Sequence, residues 1–298
     1  MNFSIIWWNT SISPPLNPNS VKPKKNKPSK DDKIYNCIKI IDKLIDADYD
    51  FICLGEVAEQ DVRCFEKHLL ALQSNYTVIN GAIKSGRLYF DTCVICKKIY
   101  QYEKTFKFRE ITYNDGGQNV RVGQRFEFNC LITKAEIVLY ISHWPAERNS
   151  DSLNYNAIAQ DLRNTLQPDL DADKLVILLG DYNIEPSNIS IVKFLQTTRE
   201  KKLIQKRKDF IYNPFWKYLS ASQVQNLYEF DHQCTYFFKA PGKFNNNHII
   251  DHIMFSRNFF KKPWKFDDDN IQIIDLNIIV GLNVSDHMAV SATIPREL

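Results

Sequence analysis

The sequence has no apolar run long enough to cross a bilayer. The longest, such as Leu175 to Leu179, fall far short of the roughly 20 residues a helical span requires. Met1-Asn2-Phe3-Ser4-Ile5-Ile6 carries no basic n-region and no cleavage site. Both absences point away from membrane and export, so a cytoplasmic protein is expected. An even, regularly spaced cysteine set is also missing. The seven cysteines are scattered through apolar segments, among them Cys53, Cys93 and Cys130, the pattern of buried thiols in a reducing compartment. Cys93 and Cys96 form a C-x-x-C, but in a strand-like run that spacing sends them to opposite faces, which disfavours a redox or zinc pair. No internal repeat is visible, and no long disordered linker. A dominant charge is lacking too: 38 Lys and Arg against 35 Asp and Glu leave +3, which says little about partners.

What is present suits a globular chain with a sizeable core, since 44% of 298 residues are apolar and 24% charged. The basic residues cluster. Lys22, Lys24, Lys25, Lys27, Lys30 and Lys33 lie near the start; Lys193, Arg199, Lys201, Lys202, Lys206, Arg207 and Lys208 follow later. Each cluster reads either as a solvated surface or as a track for phosphates. The segment Ser11 to Lys30, rich in Pro, Asn and Lys, is expected to be an irregular loop leaving the first strand.

Strand-like runs rich in β-branched and aromatic residues recur at Phe3 to Trp8, Phe51 to Leu54, Thr92 to Lys97, Arg125 to Ile132, Ile137 to Ser142, Leu175 to Leu179, Ile249 to Phe255 and Met288 to Ile294. Three helices are predicted between them. The first carries Ile34, Ile38, Ile41, Leu44 and Ile45 behind cap candidates Asp31-Asp32, and the second has the stripe Val62, Phe65, Leu69 and Leu72. The third follows Asp151-Ser152, with Leu153, Ile158, Leu162 and Leu166 inward and Pro168 as its stop. Strands mixed with a few helices from end to end favour one α/β sandwich over residues 1–298.

Polar residues sit where these strands end. Asn9 closes the first in Trp7-Trp8-Asn9-Thr10, and Glu56 the second in Leu54-Gly55-Glu56-Val57. His143 follows Tyr140-Ile141-Ser142, and Asp181 with Asn183 follow Leu179-Gly180. Asp251 lies in Ile249-Ile250-Asp251-His252-Ile253, while Asp286 and His287 open the last strand. Strand ends of a layered sheet meet at a common rim, so these residues can converge. Singly each has an ordinary reading: Asp-x-Asn as a turn or cap, a buried acid as a satisfied core carboxylate. Together, in the order Asn, Glu, His, Asp-x-Asn, Asp, Asp-His, they resemble the endonuclease/exonuclease/phosphatase superfamily across nearly the whole chain.

That resemblance implies a four-layered α/β sandwich of two packed, mainly antiparallel sheets with flanking helices. It also implies a metal-dependent phosphodiesterase. Glu56, Asn9 and Asp286 would be metal ligands; oxygen donors suit magnesium, with manganese able to substitute. Asp181 would bind the attacking water, oriented by Asn183. His287, held by Asp251, would contact the phosphate and stabilise the pentacovalent state, and His143 would do likewise or protonate the leaving oxygen. Within the superfamily the chain is most similar to the pancreatic deoxyribonuclease type. Tyr89-Phe90-Asp91 matches its Tyr-x-acid pair, and Arg125 its arginine on the next strand, so Tyr89, Asp91 and Arg125 are expected at the substrate. Asp91 stands where those enzymes have Glu, and Ala146-Glu147-Arg148 departs from the usual Ser-Arg after His143-Trp144-Pro145. Apurinic-site enzymes place Asp two residues after the Asn and Lys two after the Glu; here Ser11 and Ala58 occupy those positions.

The expected activity is therefore a nuclease acting on DNA or RNA, without membrane association. A nonspecific nuclease retained in its cell would need restraint by a regulatory partner, an activator or a narrow substrate. The alternative is a phosphatase or phosphodiesterase for inositol phosphates, phospholipids or small nucleotides, because fold does not settle substrate. A non-catalytic module is disfavoured, since every motif position holds a usable residue. His248 and His252 share a strand face but lack a third soft ligand for zinc. His68 and His232 are expected to be ordinary. The stretch Phe210, Tyr212, Phe215, Trp216 and Tyr218 suits loop packing more than base stacking.

Overall fold

The computed structural model describes residues 2–13, 29–102, 109–115, 118–146, 154–219, 234–237, 247–281 and 284–297. In the first large sheet, β1 (Asn2–Asn9) pairs in parallel with β2 (Phe51–Gly55) and antiparallel with β18 (Ala289–Pro295). Adding β17 (Ile271–Ile274), β6 (Cys93–Lys97) and β3 (Tyr76–Asn80) gives the order β17-β18-β1-β2-β6-β3. In the second sheet, β11 (Leu175–Asp181) lies between β10 (Glu136–His143), parallel to it, and β16 (Asp251–Ser256), antiparallel. One side continues through β13 (Ile211–Tyr212) to β12 (Thr197–Thr198). On the other, β9 (Gln118–Cys130) takes both β7 (Tyr100–Tyr102) and β8 (Arg109–Asp115). Two hairpins stand apart: β4 (Lys84–Ser85) with β5 (Leu88–Tyr89), and β14 (Tyr236–Phe237) with β15 (Asn247–His248).

The central strands are apolar on both faces, which is why they read as continuous hydrophobic runs. From β1, Phe3, Ile5 and Trp7 enter the core between the sheets, where they meet Phe126, Leu139, Ile177 and Ile253 of the second sheet. Ile6 and Trp8 face the other way, onto α1 (Lys30–Asp46) and α2 (Glu59–Ala71). The outer face of the second sheet is covered by α3 (Tyr155–Asp171), through Ile158, Leu162, Leu166 and Leu170. The layers are thus helix, sheet, sheet, helix, the four-layered sandwich expected. Cys93 and Cys96 fall in separate apolar clusters, on opposite faces. Among the described residues no helix is long and apolar enough to cross a membrane.

Local details depart from the sequence reading. Ser29, not Asp31-Asp32, caps α1: its Oγ accepts from the Asp32 N–H at 3.1 Å while Asp32 Oδ2 accepts from the Ser29 N–H at 3.1 Å, a capping box. Leu72 is 58% exposed because α2 has already ended. Pro168 lies inside α3 rather than stopping it. Proline removes one helical hydrogen bond there, and the burial of Leu166 and Leu170 on either side keeps the helix seated. Lys22, Lys24, Lys25, Lys27, Glu147, Arg148, Asp151, Ser152, Leu153 and His232 lie outside the described residues.

The later basic run forms α4 (Lys201–Lys206), and its flanks are largely engaged: Lys201 with Asp268 at 2.8 Å, Arg207 with Asp209 at 2.6 Å, Lys208 with Asp171 at 3.2 Å. Tyr212 and Phe215 are buried, as loop packing requires.

Candidate active site

Strand direction makes the site. β1, β2, β10 and β11 run toward one end of the sandwich while β6, β16 and β18 start there, as the register pairs Asn9 with Gly55, His143 with Asp181, and Asp181 with Asp251 show. Two glycines permit this convergence. A Cβ on Gly180, whose φ is +147°, would lie 1.9 Å from the Ser142 carbonyl oxygen, so only glycine lets β10 and β11 deliver His143 and Asp181 side by side. A Cβ on Gly55 would come within 2.5 Å of the Trp7 ring. With that space open, the Trp7 indole N–H reaches Asp251 Oδ1 at 2.8 Å.

At the centre is Asp181, buried, with its Oδ2 at 4.0 Å from His143 Nε2 and 3.8 Å from His287 Nε2. Behind each imidazole stands a second carboxylate. His143 Nδ1 bonds Asp91 Oδ2 at 2.8 Å, and His287 Nδ1 bonds Asp251 Oδ2 at 2.9 Å. The shorter Asp91 side chain therefore reaches its histidine. Asn9 Nδ2 donates to both Asp181 Oδ2 and Glu56 Oε1, each at 3.2 Å, and Glu56 Oε1 lies 3.9 Å from His143 Nε2. Asn183 donates its backbone N–H to Asp181 Oδ1 at 2.9 Å and its Nδ2 to the Trp144 carbonyl at 2.6 Å. Glu56 and Asn183 both have φ of +54°. For Glu56 this is strain of about 1–3 kcal/mol, the kind concentrated at functional sites.

The charges are arranged unevenly. Burial raises the Glu56 carboxyl above its usual range, against the pull of His143 and His287. Burial, reinforced by Asp251, lifts Asp181 to about 6. Asp91 behaves oppositely: burial would raise it, but His143 and Arg121 bring it down to about 2. Burial works against both imidazolium ions, yet Asp91 raises His143 and Asp251 raises His287 to about 10. Two imidazoles whose protonated forms are favoured by carboxylates behind them thus face a carboxyl raised by burial.

Asp181, Asp251 and His287 offer ligand atoms within 4.8 Å of one another, a set that could hold a metal ion. Both oxygens of Asp251 are already bonded, to Trp7 and His287, so Asp251 suits orientation better than ligation. Asn9 presents its amide nitrogen to the carboxylates while its Oδ1 accepts from the Ser11 N–H at 3.2 Å; it bridges the acids rather than offering them a ligand oxygen. Asp286 is exposed at the rim edge, its Oδ1 accepting from Ser11 Oγ at 2.7 Å. Glu56, half-buried and with its carboxyl raised by burial, is left as the acid at the rim with an oxygen open to an ion.

Arg125 is a correction. Its guanidinium makes a bidentate pair with Asp169 at 2.7 and 2.8 Å and a third bond to Glu127 at 2.9 Å, on the outer face beneath α3. The arginine at the rim is Arg121, 3.0 Å from Asp91 Oδ1 and bonded to the Tyr89 carbonyl at 2.7 Å. A shift in the β8–β9 register between Ile111 and Thr112 explains the exchange. Beyond it Val120 and Val122 face outward, whereas Phe126 and Phe128 face the inner core, so alternation breaks between Arg121 and Arg125. Tyr89 is 59% exposed beside Lys84, whose Nζ is 5.3 Å from the ring centroid.

Several participants were not singled out by sequence. Trp7 holds Asp251. Tyr236 forms a bridge with His287, the two rings 4.7 Å apart. Ser285 Oγ donates to the Asn9 carbonyl at 2.6 Å and accepts the His287 N–H at 3.0 Å, tying the first and last strands together. The flanks Trp7-Trp8-Asn9 and Ser285-Asp286-His287 contained two of these, but only the fold shows the contacts. His252 faces away from the site, stacked on Tyr182 at 5.3 Å and pushed down to about 4 by burial. His248 pairs with Glu185 at 3.2 Å, so the two histidines form no joint site.

A sequence profile of the Endonuclease/Exonuclease/phosphatase family matches residues 35–287. Similar solved structures include D. rerio TDP2 complexed with single strand DNA product, 17% identical over 99% of each chain with a TM-score of 0.61. The human Nocturnin catalytic domain with bound sulfate anion is 17% identical over 99% of this chain and 94% of that one, with a TM-score of 0.60. A family protein from Bacteroides thetaiotaomicron is 12% identical over 100% of this chain and 99% of that one, with a TM-score of 0.56. At such identities the likeness is one of fold. No curated protein sequence matches the chain.

Proposed function

Because the chain belongs to the Endonuclease/Exonuclease/phosphatase family, we propose that it is a magnesium-dependent phosphodiesterase, a nuclease that hydrolyses DNA or RNA. The observation that carries this reading is the placement of Asp181 between His143 Nε2 and His287 Nε2, each imidazole backed by its own carboxylate. Phosphodiester hydrolysis needs a positioned base for water, positive charge at the phosphoryl oxygens and a proton for the leaving oxygen. One side of this cluster supplies all three.

The donor set fits a hard cation. Glu56, with Asp181 and the rim acid Asp286, offers carboxylate oxygens and no thiolate, and because burial raises the Glu56 and Asp181 carboxyls, a bound cation would favour their ionised forms. When bound, magnesium would neutralise phosphoryl oxygens and lower the cost of charge in the transition state. This chain's residues do the remainder. Asp181 takes a proton from the attacking water, and Asn183 holds Asp181 through its backbone N–H. His287, kept cationic by Asp251, bonds a phosphoryl oxygen. His143, whose protonated form Asp91 favours, gives its Nε2 proton to the leaving oxygen as the P–O bond breaks. Tyr89 and Arg121 line the substrate side, and Arg121 fixes Asp91.

Single strand DNA product in the D. rerio TDP2 structure supports a nucleic acid as substrate. The test is a panel of plasmid DNA, single-stranded DNA, RNA, bis-p-nitrophenyl phosphate and p-nitrophenyl phosphate, with magnesium or manganese. The expected result is cleavage of a polynucleotide and the diester, abolished by EDTA and by Glu56→Gln, restored by either metal and poorly by zinc. Turnover of the monoester alone, or full activity in folded Glu56→Gln protein, would refute it.

A further inference from the structure

Asp61, in the first turn of α2, is completely buried, yet its carboxylate accepts two hydrogen bonds from separate segments and faces a lysine. Ser13 Oγ donates to Oδ2 at 2.7 Å, the Ala58 N–H donates to the same oxygen at 2.8 Å, and the Lys30 ammonium lies 3.0 Å from Oδ1. The Ser13 and Ala58 segments flank Glu56. Ser13 donates its own N–H to the Glu56 carbonyl at 2.8 Å, Thr10 Oγ1 lies 3.3 Å from that carbonyl, and Ala58 follows two residues after Glu56. A non-glycine residue at φ +54° persists only where its surroundings over-determine it. The Ala58 bond is the helix's own N3 capping bond, whereas the bond from Ser13 is one that capping does not call for.

We propose that Asp61 is the positioning residue for Glu56. It ties the segment just after the strained residue to Ser13, whose N–H holds the Glu56 carbonyl, and so fixes the backbone that presents the Glu56 carboxylate to Asn9. The inference rests on the reading of Glu56 as a metal ligand. Groups that orient a ligand typically set metal affinity by about 10–100-fold.

Mn2+ binding, followed by water-proton relaxation, tests this in the full chain alongside circular dichroism and activity at saturating metal. Asp61→Asn should weaken Mn2+ binding about tenfold while kcat at saturating Mn2+ stays near wild type. Ser13→Ala, which removes one hydroxyl, should move affinity in the same direction by less. A merely structural Asp61 would lower stability and leave the affinity of folded molecules unchanged. Wild-type Mn2+ affinity in folded Asp61→Asn and Ser13→Ala proteins, beside a Glu56→Gln variant that has lost it, overturns the inference and leaves the metal reading intact. Wild-type affinity in Glu56→Gln overturns the metal reading, and the inference with it.

Discussion

The sandwich buries charge at both ends, and the two clusters are built on opposite terms. Beneath α3, Arg125 and Lys174 face Asp169, Glu127 and Glu136; Lys174 bonds Glu127 and approaches Glu136 at 3.3 Å. Burial works against Asp169 and Glu127, but bonds from Arg125 and Lys174 hold both carboxyls below their usual range. Each carboxylate of the cluster has a cationic partner, and Tyr140 adds a hydroxyl to Asp169 at 2.6 Å. At the rim, burial wins instead: Glu56 and Asp181 are raised, and Glu56 stands on strained backbone. A balanced buried network fixes structure; an unbalanced one with strained backbone is poised for a ligand.

Substitutions at the two ends should therefore separate rate from stability. Asp181→Asn and His287→Ala should each lower kcat by at least about 100-fold, and the melting temperature of Asp181→Asn should stay near wild type. Asp181→Asn relieves a buried charge and can stabilise the fold. Arg125→Met, which strands Asp169, should cost about 3–5 kcal/mol in chemical denaturation while kcat per folded molecule is preserved. Loss of rate without loss of stability in Arg125→Met would dissolve the contrast between the ends.

Arg121 and Arg125 show how far the sequence could be followed. Both lie on β9 with the same parity, so period-two alternation puts them on one face, and only the register shift at Ile111 to Thr112 separates them. The shift depends on strand pairing, which leaves no local mark. Residues at strand ends were legible for the converse reason. Asn9, Glu56, His143, Asp181, Asp251 and His287 follow or open long apolar runs, and strand direction alone brings these side chains to one rim. The short strands β12 to β15, at two residues each, have no periodicity to detect. Tyr236 sits in one of them, and so its contact with His287 was hidden. Likewise the Ser29 cap precedes two acids that look equally suitable, and geometry decides among them. Arg121→Met sharpens this point. It should raise KM or lower kcat about tenfold through the loss of its bond to Asp91, a smaller change than at Asp181; an effect below twofold would make Arg121 a bystander.

A pH series compares the ends more gently. His287 is raised from 6.5 to about 10 in the folded chain, so its stabilising effect is complete below pH 6.5 and is lost as pH rises toward 10. In EDTA, the stability difference between wild type and His287→Gln should shrink across that window. Asp91 is lowered from 3.8 to about 2, so its effect is complete above pH 4 and fades as pH falls toward 2. Flat differences across both windows would show the imidazole–carboxylate pairs to be weakly coupled to folding.

The most direct test of the rim's unmet charge is proton release on metal binding. Burial and the neighbouring Asp251 lift the Asp181 carboxyl to about 6, so Mg2+ or Mn2+ entering at pH 6 should expel protons. Calorimetric titration in buffers of differing ionisation heat reads their number. Release that is present at pH 6, vanishes by pH 8 and persists in Arg125→Met is predicted. An absence of binding, or binding at pH 6 that frees no proton, would contradict the account.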